Sequence, residues 1–178
     1  MKFEETKLRG AFLIDLERRN DERGFFARTF CQKEFAEHGL DPRIAQCNLS
    51  YNQIKGTLRG LHYQAAPSRE AKLVTCVRGE VFDVIVDFRK SSPTYLHWWS
   101  TILSQDRRNS LYVPEAFAHG FLTLADDTEI FYQMSVPFDP ASARGLRWND
   151  PALAIKWPCD PLVISTRDLE HDLISTER

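Results

Sequence analysis

No stretch of this 178-residue chain approaches the roughly 20 consecutive apolar residues that a membrane-spanning helix requires, which excludes a helical membrane protein. The opening residues Met1-Lys2-Phe3-Glu4-Glu5 lack the basic start and apolar middle of a secretory leader, so a cytoplasmic location is expected. Positive charge is not in excess either. Lysine and arginine number 23 against 25 aspartates and glutamates, a net charge of −2 that offers no overall field to draw nucleic acid. Local basic groups remain available for a small anion. Cysteine is sparse, and Cys31, Cys47, Cys76 and Cys159 form no CxxC pair. That spacing argues against a disulfide frame or a zinc site and for reduced thiols with structural roles. Repeats, low-complexity segments and linkers are absent too, which leaves one domain over residues 1–178.

Hydrophobic residues make up 43% and charged residues 27%, ordinary values for a globular core. Aromatic content is high at 12%, with twelve Phe and four Trp, and suits a β-rich core with a cleft for a flat ring. Helix signals are few. The best is Cys31 to Gly39, whose glycine is placed to end the helix before Asp41-Pro42. Strand signals dominate the middle. Leu73 to Val77 and Val81 to Phe88 flank Arg78-Gly79-Glu80 and read as a hairpin around a glycine turn. In the second run Phe82, Val84, Val86 and Phe88 share one face, and Asp83, Ile85 and Asp87 the other. Further strands are expected over 44–51, 57–63, 97–103, 111–114, 120–125 and 129–135. Short strands at this spacing predict an all-β sandwich or barrel. The last forty residues, rich in Pro, Asp and Trp, read as irregular packing segments with one short helix.

Two segments carry candidate chemistry. In Gly56-Thr57-Leu58-Arg59-Gly60-Leu61-His62-Tyr63-Gln64, strand alternation sends Arg59, Leu61 and Tyr63 one way and His62 and Gln64 the other. The glycines permit close approach of a ligand or another backbone. The second segment is Pro114-Glu115-Ala116-Phe117-Ala118-His119-Gly120-Phe121. Taken alone, each histidine fits a packed strand residue better than a catalyst. Together the segments resemble the two histidine motifs of the cupins, small jelly-roll barrels. The resemblance implies a cupin-type jelly-roll β-barrel with a few short peripheral helices. Gln64 stands where metal-binding cupins usually have a second histidine. His62, His119 and an amide make a poor set for zinc or iron, so no metal and no other cofactor is expected.

More segments sharpen the resemblance. Asp21 to Phe26, Arg59 to Gln64, Lys72 to Val74, Arg78 to Val84, Arg89 to Thr94, Pro114 to Phe121, Trp148 to Pro151 and Ser165 to Asp168 follow one another in order. This ordered set closely resembles dTDP-4-dehydrorhamnose 3,5-epimerase, from about Asp21 to Asp168. Such an enzyme inverts C3 and C5 of a nucleotide-linked 4-keto-6-deoxyhexose. The resemblance implies His62 as general base and Asp168 as the carboxylate that orients it. It implies Tyr132 as proton donor from the opposite face and Lys72 as the cation near the 4-keto oxygen. It further implies substrate contacts from Arg23, Phe26, Gln46, Asn48, Arg59, His119 and Phe138, with arginine suited to gripping a diphosphate. The segment around Arg23 and Phe26 is implied to cross to a neighbouring subunit of a homodimer.

Departures from the family pattern gather on the nucleotide side. Phe138 stands for a usual Tyr, Arg28 and Ala143 stand where Glu is usual, Gln133 where Lys is common, and Arg167 replaces a Lys. The deprotonation set is intact, while the base or ribose contacts are altered. Another nucleotide such as CDP, or inversion at only one of C3 and C5, therefore stays open. The other readings weighed are a keto-isomerase on the same substrate class, a non-catalytic sugar-nucleotide-binding module and a metal-dependent cupin oxygenase. Tyr132 with Lys72 favours the epimerase over the isomerase, a binding module has no need of the His, Asp and Tyr, and Gln64 opposes the oxygenase.

Overall fold

The computed structural model describes residues 1–175. Four short strands open the chain: β1 (Lys2–Glu5), β2 (Phe12–Asp15), β3 (Arg19–Asp21) and β4 (Gly24–Phe26). Helix α1 (Gln32–Glu37) follows, with Cys31 and His38 as its caps and Gly39 in the left-handed region (φ 71°) where the chain leaves it. Eight strands come next, all but β10 of seven or eight residues: β5 (Gln46–Asn52), β6 (Thr57–Gln64), β7 (Lys72–Arg78), β8 (Glu80–Asp87), β9 (Trp98–Ser104), β10 (Ser110–Val113), β11 (Phe117–Thr123) and β12 (Thr128–Met134). After β12 the described residues hold β13 (Ala143–Gly145), β14 (Val163–Ile164) and the single-turn α2 (Thr166–Leu169).

The strands build two facing sheets. One runs β1-β2-β10-β7-β12-β5; the other runs β13-β6-β11-β8-β9, with β14 parallel beside β6. Among the described residues β3 and β4 pair only with each other. Between the sheets lie Val74, Cys76, Val81, Ile85, Leu111, Phe121 and Ile130, all buried. The outer face of the first sheet is covered by α1 through Phe35, which packs with Ile14, Leu73 and Tyr112. The outer face of the second buries Leu61, Val84 and Val86 under Leu146, Leu153 and Trp157 of the C-terminal segment. Both faces of β8 are thus apolar where they pack, while Asp83 and Ile85 look inward as the alternation predicts. The all-β, jelly-roll architecture agrees with the reading of the sequence.

Two local expectations fail. The runs around Gly79 do not form a hairpin. β7 lies between β10 and β12 in one sheet, and β8 between β11 and β9 in the other. A single residue separates them, too few for the two-residue turn of a hairpin, so the chain turns a corner from sheet to sheet. Gly79 makes that corner at φ 76°, where a Cβ would lie 2.3 Å from the Thr128 hydroxyl. The second failure is the alternation along β6. His62 pairs with His119 and Arg59 with Phe121, so three steps on β6 match two on β11. The resulting bulge at Gly60 and Leu61 reverses the phase, and Arg59 and His62 turn to the same interior.

Candidate active site

One end of the space between the sheets is an open cavity of about 290 Å³. β6 lends Arg59, His62 and Gln64, β11 lends His119, and β13 lends Ala143 from the second sheet. From the first sheet come Asn48 and Ser50 of β5, Lys72 of β7 and Tyr132 of β12. The bulge makes this possible. Gly60 (φ 123°) sits so near β11 that a Cβ would fall 2.6 Å from the Gly120 Cα.

His62 is held from behind. Its Nε2 lies 2.6 Å from Asp168 Oδ1, and the other carboxylate oxygen accepts from the Gly60 amide at 3.1 Å. Asp168 is buried although it sits in a one-turn helix near the chain end. Ser165 caps that helix, its hydroxyl accepting from the Asp168 amide. Burial alone would raise the Asp168 carboxyl, but the bonds from His62, Gly60 and Ser165 outweigh it and hold it below the ordinary carboxylate range. An ionised Asp168 fixes the hydrogen of His62 on Nε2 and leaves Nδ1 as the lone-pair nitrogen.

Opposite stands Tyr132. Burial pushes its phenol far above the ordinary value, with the Asp83 charge adding to the effect, so the hydroxyl keeps its proton at neutral pH. Its ring meets that of His119 edge-on, with centroids 6.3 Å apart. His119 is buried and bonded to Asp83 at 2.9 and 3.0 Å. Lys72 Nζ reaches Glu70 at 2.8 Å and the His62 carbonyl at 3.3 Å. Arg59 donates from Nε to Asn52 at 2.7 Å, which steadies its guanidinium beside the cavity.

Most candidates from the sequence converge here. His62, Lys72, Tyr132, Asn48, Arg59, His119 and Phe138 line the cavity, with Asp168 behind His62. Gln46 stands just outside. Its amide donates to Asn48 and accepts from the Phe138 backbone at 2.9 Å, so it sets the rim that those two form. Gln64 is occupied by two loops, accepting from the Asp139 amide of the β12–β13 connection and donating to the Ser68 carbonyl of the β6–β7 loop. Arg23 and Phe26 do not reach the cavity of their own chain. They ride the β3–β4 hairpin with relative exposures of 82% for the Arg23 side chain and 74% for Phe26. Arg28 is tied to Glu34 near that hairpin, and Gln133 also lies off the cavity, whereas Ala143 and Phe138 border it. Glu70 and Asp83 escaped the reading of the sequence. The signals were available: Glu70 stands two residues before Lys72, just ahead of β7, and Asp83 interrupts an apolar run.

A family model for dTDP-4-dehydrorhamnose 3,5-epimerase matches residues 5–176. The chain belongs to the dTDP-4-dehydrorhamnose 3,5-epimerase family. It is an epimerase, within the isomerase class. A dTDP-4-dehydrorhamnose 3,5-epimerase from Methanothermobacter thermautotrophicus is 43% identical over 170 residues, 94% of this chain and 91% of that protein. A dTDP-4-dehydrorhamnose 3-epimerase from Streptomyces niveus is 40% identical over 179 residues, covering 100% of this chain and 86% of its own. The structure of dTDP-6-deoxy-D-glucose-3,5-epimerase from Legionella pneumophila in complex with dTDP-4-keto-L-rhamnose matches with a TM-score of 0.90. That pair is 38% identical, over 97% of this chain and 92% of the other. Among the described residues of this family member, no helix is long and apolar enough to cross a membrane.

Proposed function

We propose that this epimerase inverts C3 and C5 of a nucleotide-linked 4-keto-6-deoxyhexose, of the dTDP-4-dehydro-6-deoxyglucose to dTDP-4-dehydrorhamnose type. The observation that carries the reading is a pair of proton-handling groups on opposite walls of one cavity: His62 backed by Asp168, and a half-buried, protonated Tyr132. A hydrogen on carbon next to a ketone is acidic because the charge left behind spreads onto the ketone oxygen. His62 Nδ1 takes that hydrogen while Asp168 steadies the imidazolium. The enolate oxygen lies toward Lys72, whose ammonium is held by Glu70 and the His62 carbonyl. Tyr132 returns a proton from the other face, and the carbon is inverted. Every step is a proton transfer, so the chain's own residues suffice without a cofactor.

Arg59 and His119 hold the substrate from the second sheet, Asn48 and Phe138 from the rim. Arg23 and Phe26, exposed on their hairpin, complete the site of a second copy in a homodimer. The four cysteines are free thiols, two of them exposed, which fits the reducing cytoplasm. The test is incubation in D₂O with a dTDP-linked 4-keto-6-deoxyglucose, followed by NMR of the product. Deuterium at C3 and C5 with inversion at both is expected. Tight binding without any exchange would mean a binding module, exchange at one carbon a mono-epimerase, and migration of the carbonyl a keto-isomerase. A CDP-linked substrate run alongside decides the nucleotide.

A further inference from the structure

Behind His62 and Asp168 stands a third side chain that the reaction above does not use. His171, just after α2, places Nε2 3.8 Å from Asp168 Oδ1, the oxygen that also holds His62 at 2.6 Å. The two imidazoles meet edge-on with centroids 6.1 Å apart. His171 Nε2 is closed off from solvent and has no hydrogen-bond partner among the described residues, an arrangement buried polar nitrogens avoid. Its space comes from Gly145, which pairs with His62 across β13 and β6. A Cβ on that glycine would lie 2.0 Å from His171 Nε2. The backbone thus makes room for an imidazole whose nitrogen is left without a partner.

We propose that His62, Asp168 and His171 form a site for a divalent cation of the zinc class, and that its binding turns the epimerase off. One ligand atom from each of the three lies within 4.8 Å of the others. Zinc bonded at about 2.0–2.1 Å to tetrahedral ligands spaces them roughly 3.3 Å apart. His62 therefore moves slightly away from Asp168 and His171 slightly toward it. Two imidazoles and one carboxylate suit zinc and leave its fourth position open. The partly exposed edge of His62 supplies the way in.

Inhibition follows from the count of hydrogens. A neutral imidazole carries one. With Asp168 as its partner, that hydrogen sits on Nε2 and the base lone pair on Nδ1. A cation on Nε2 takes over that nitrogen, the hydrogen moves to Nδ1, and the base is gone. Binding of the cation does not depend on the proposed reaction; only the inhibition does.

The experiment titrates chelator-stripped, desalted protein with zinc chloride, by calorimetry and by competition with a chromophoric chelator. One equivalent is expected to bind wild type, and at least ten-fold more weakly to His171→Asn and His171→Gln. Both variants keep a polar amide side chain, Asn shorter than the imidazole and Gln about as long, and circular dichroism confirms that each is folded. In parallel, solvent deuterium exchange into the keto-sugar nucleotide should fall as zinc is added to wild type and recover with EDTA. The His171 variants should exchange undisturbed at zinc levels that silence wild type. Equal zinc affinity in wild type and variants, or none in wild type, overturns the site. Zinc held through His171 with exchange unchanged overturns the switch. Absence of exchange in zinc-free wild type counts against the proposed reaction instead, and the isotherms still decide the site.

Discussion

The inner wall of the cavity and the β3–β4 hairpin are both rich in charge and aromatic rings, yet they are built in opposite ways. On the wall, His62, His119, Lys72 and Arg59 each have a partner in the same chain: Asp168, Asp83, Glu70 and Asn52. On the hairpin every strand residue is exposed, and among the described residues Arg23 pairs with Asp21 alone, two residues away. Phe25 rests under Arg18 and Arg108, but Phe26 touches little of its own chain. Preorganised groups are what proton transfer requires, because a base that must first be oriented loses most of its advantage. Exposed groups of the same types are what a contact with something else requires. The proposed function accordingly places chemistry on the wall and recognition on the hairpin.

The contrast is broken most severely at His62. His62→Ala should lower deuterium exchange by about 10⁴-fold, the upper range for loss of a general base, with substrate binding retained. Asp168→Asn should lose nearly as much, since an amide no longer fixes the hydrogen on Nε2. Tyr132→Phe separates the two half-reactions: exchange should outlast product formation, because only reprotonation from the far face is lost. Equal residual rates for exchange and product would remove Tyr132 from that role.

The wall's second pair tests structure. Asp83 is wholly buried against His119, and burial drives its carboxyl upward despite the His119 and Lys72 charges nearby. Asp83→Ala leaves a buried imidazole without a partner and should cost about 3 kcal/mol in denaturant unfolding. A change under about 0.5 kcal/mol, the range for surface substitutions, would mean that the pair is incidental.

Much of this wall was legible in the sequence, and the reasons are local. Alternating β-branched runs marked the long strands, and His62, Lys72, Tyr132 and Asp168 stood in segments with a recognisable order. What alternation could not supply was the phase across Gly60, since one extra residue in β6 is visible only against β11. Nor could it choose the partners of β7 and β8, which pair with strands distant in sequence rather than with each other. The short strands β1 to β4 have three or four residues each, too few to show a period. Asp168 meets His62 across a separation of 106 residues, so only the resemblance to a family brought them together before the fold did.

Acid offers a milder probe. Asp87 at the end of β8 is fully buried; despite burial, bonds from Arg89, Ser92 and Thr94 hold its carboxyl well below the ordinary range. A depressed carboxyl adds stability above its unfolded value, near pH 4, and loses that contribution as the pH falls toward its folded value. Asp87→Asn should therefore be less stable than wild type at pH 7 by about 2 kcal/mol, with the gap narrowing below pH 4. A gap that stays constant down to pH 2 would contradict the assignment.

The hairpin should yield the smallest effect on stability and the clearest one on recognition. Arg23→Ala and Phe26→Ala remove exposed side chains, so unfolding should shift by no more than about 0.5 kcal/mol. If Arg23 grips a phosphate in a neighbouring site, KM should rise about ten-fold or more, the scale of one charged hydrogen bond, with little change in kcat. Mixing decides whether that site belongs to another copy. Each site of a shared dimer takes its wall from one chain and its hairpin from the other. A mixed dimer of His62→Ala and the Arg23→Ala, Phe26→Ala double variant then holds one ruined site and one intact site, so activity should return when two impaired proteins are refolded together. If the mixture is no more active than its parts, the hairpin serves its own chain or none, and the division between wall and hairpin falls.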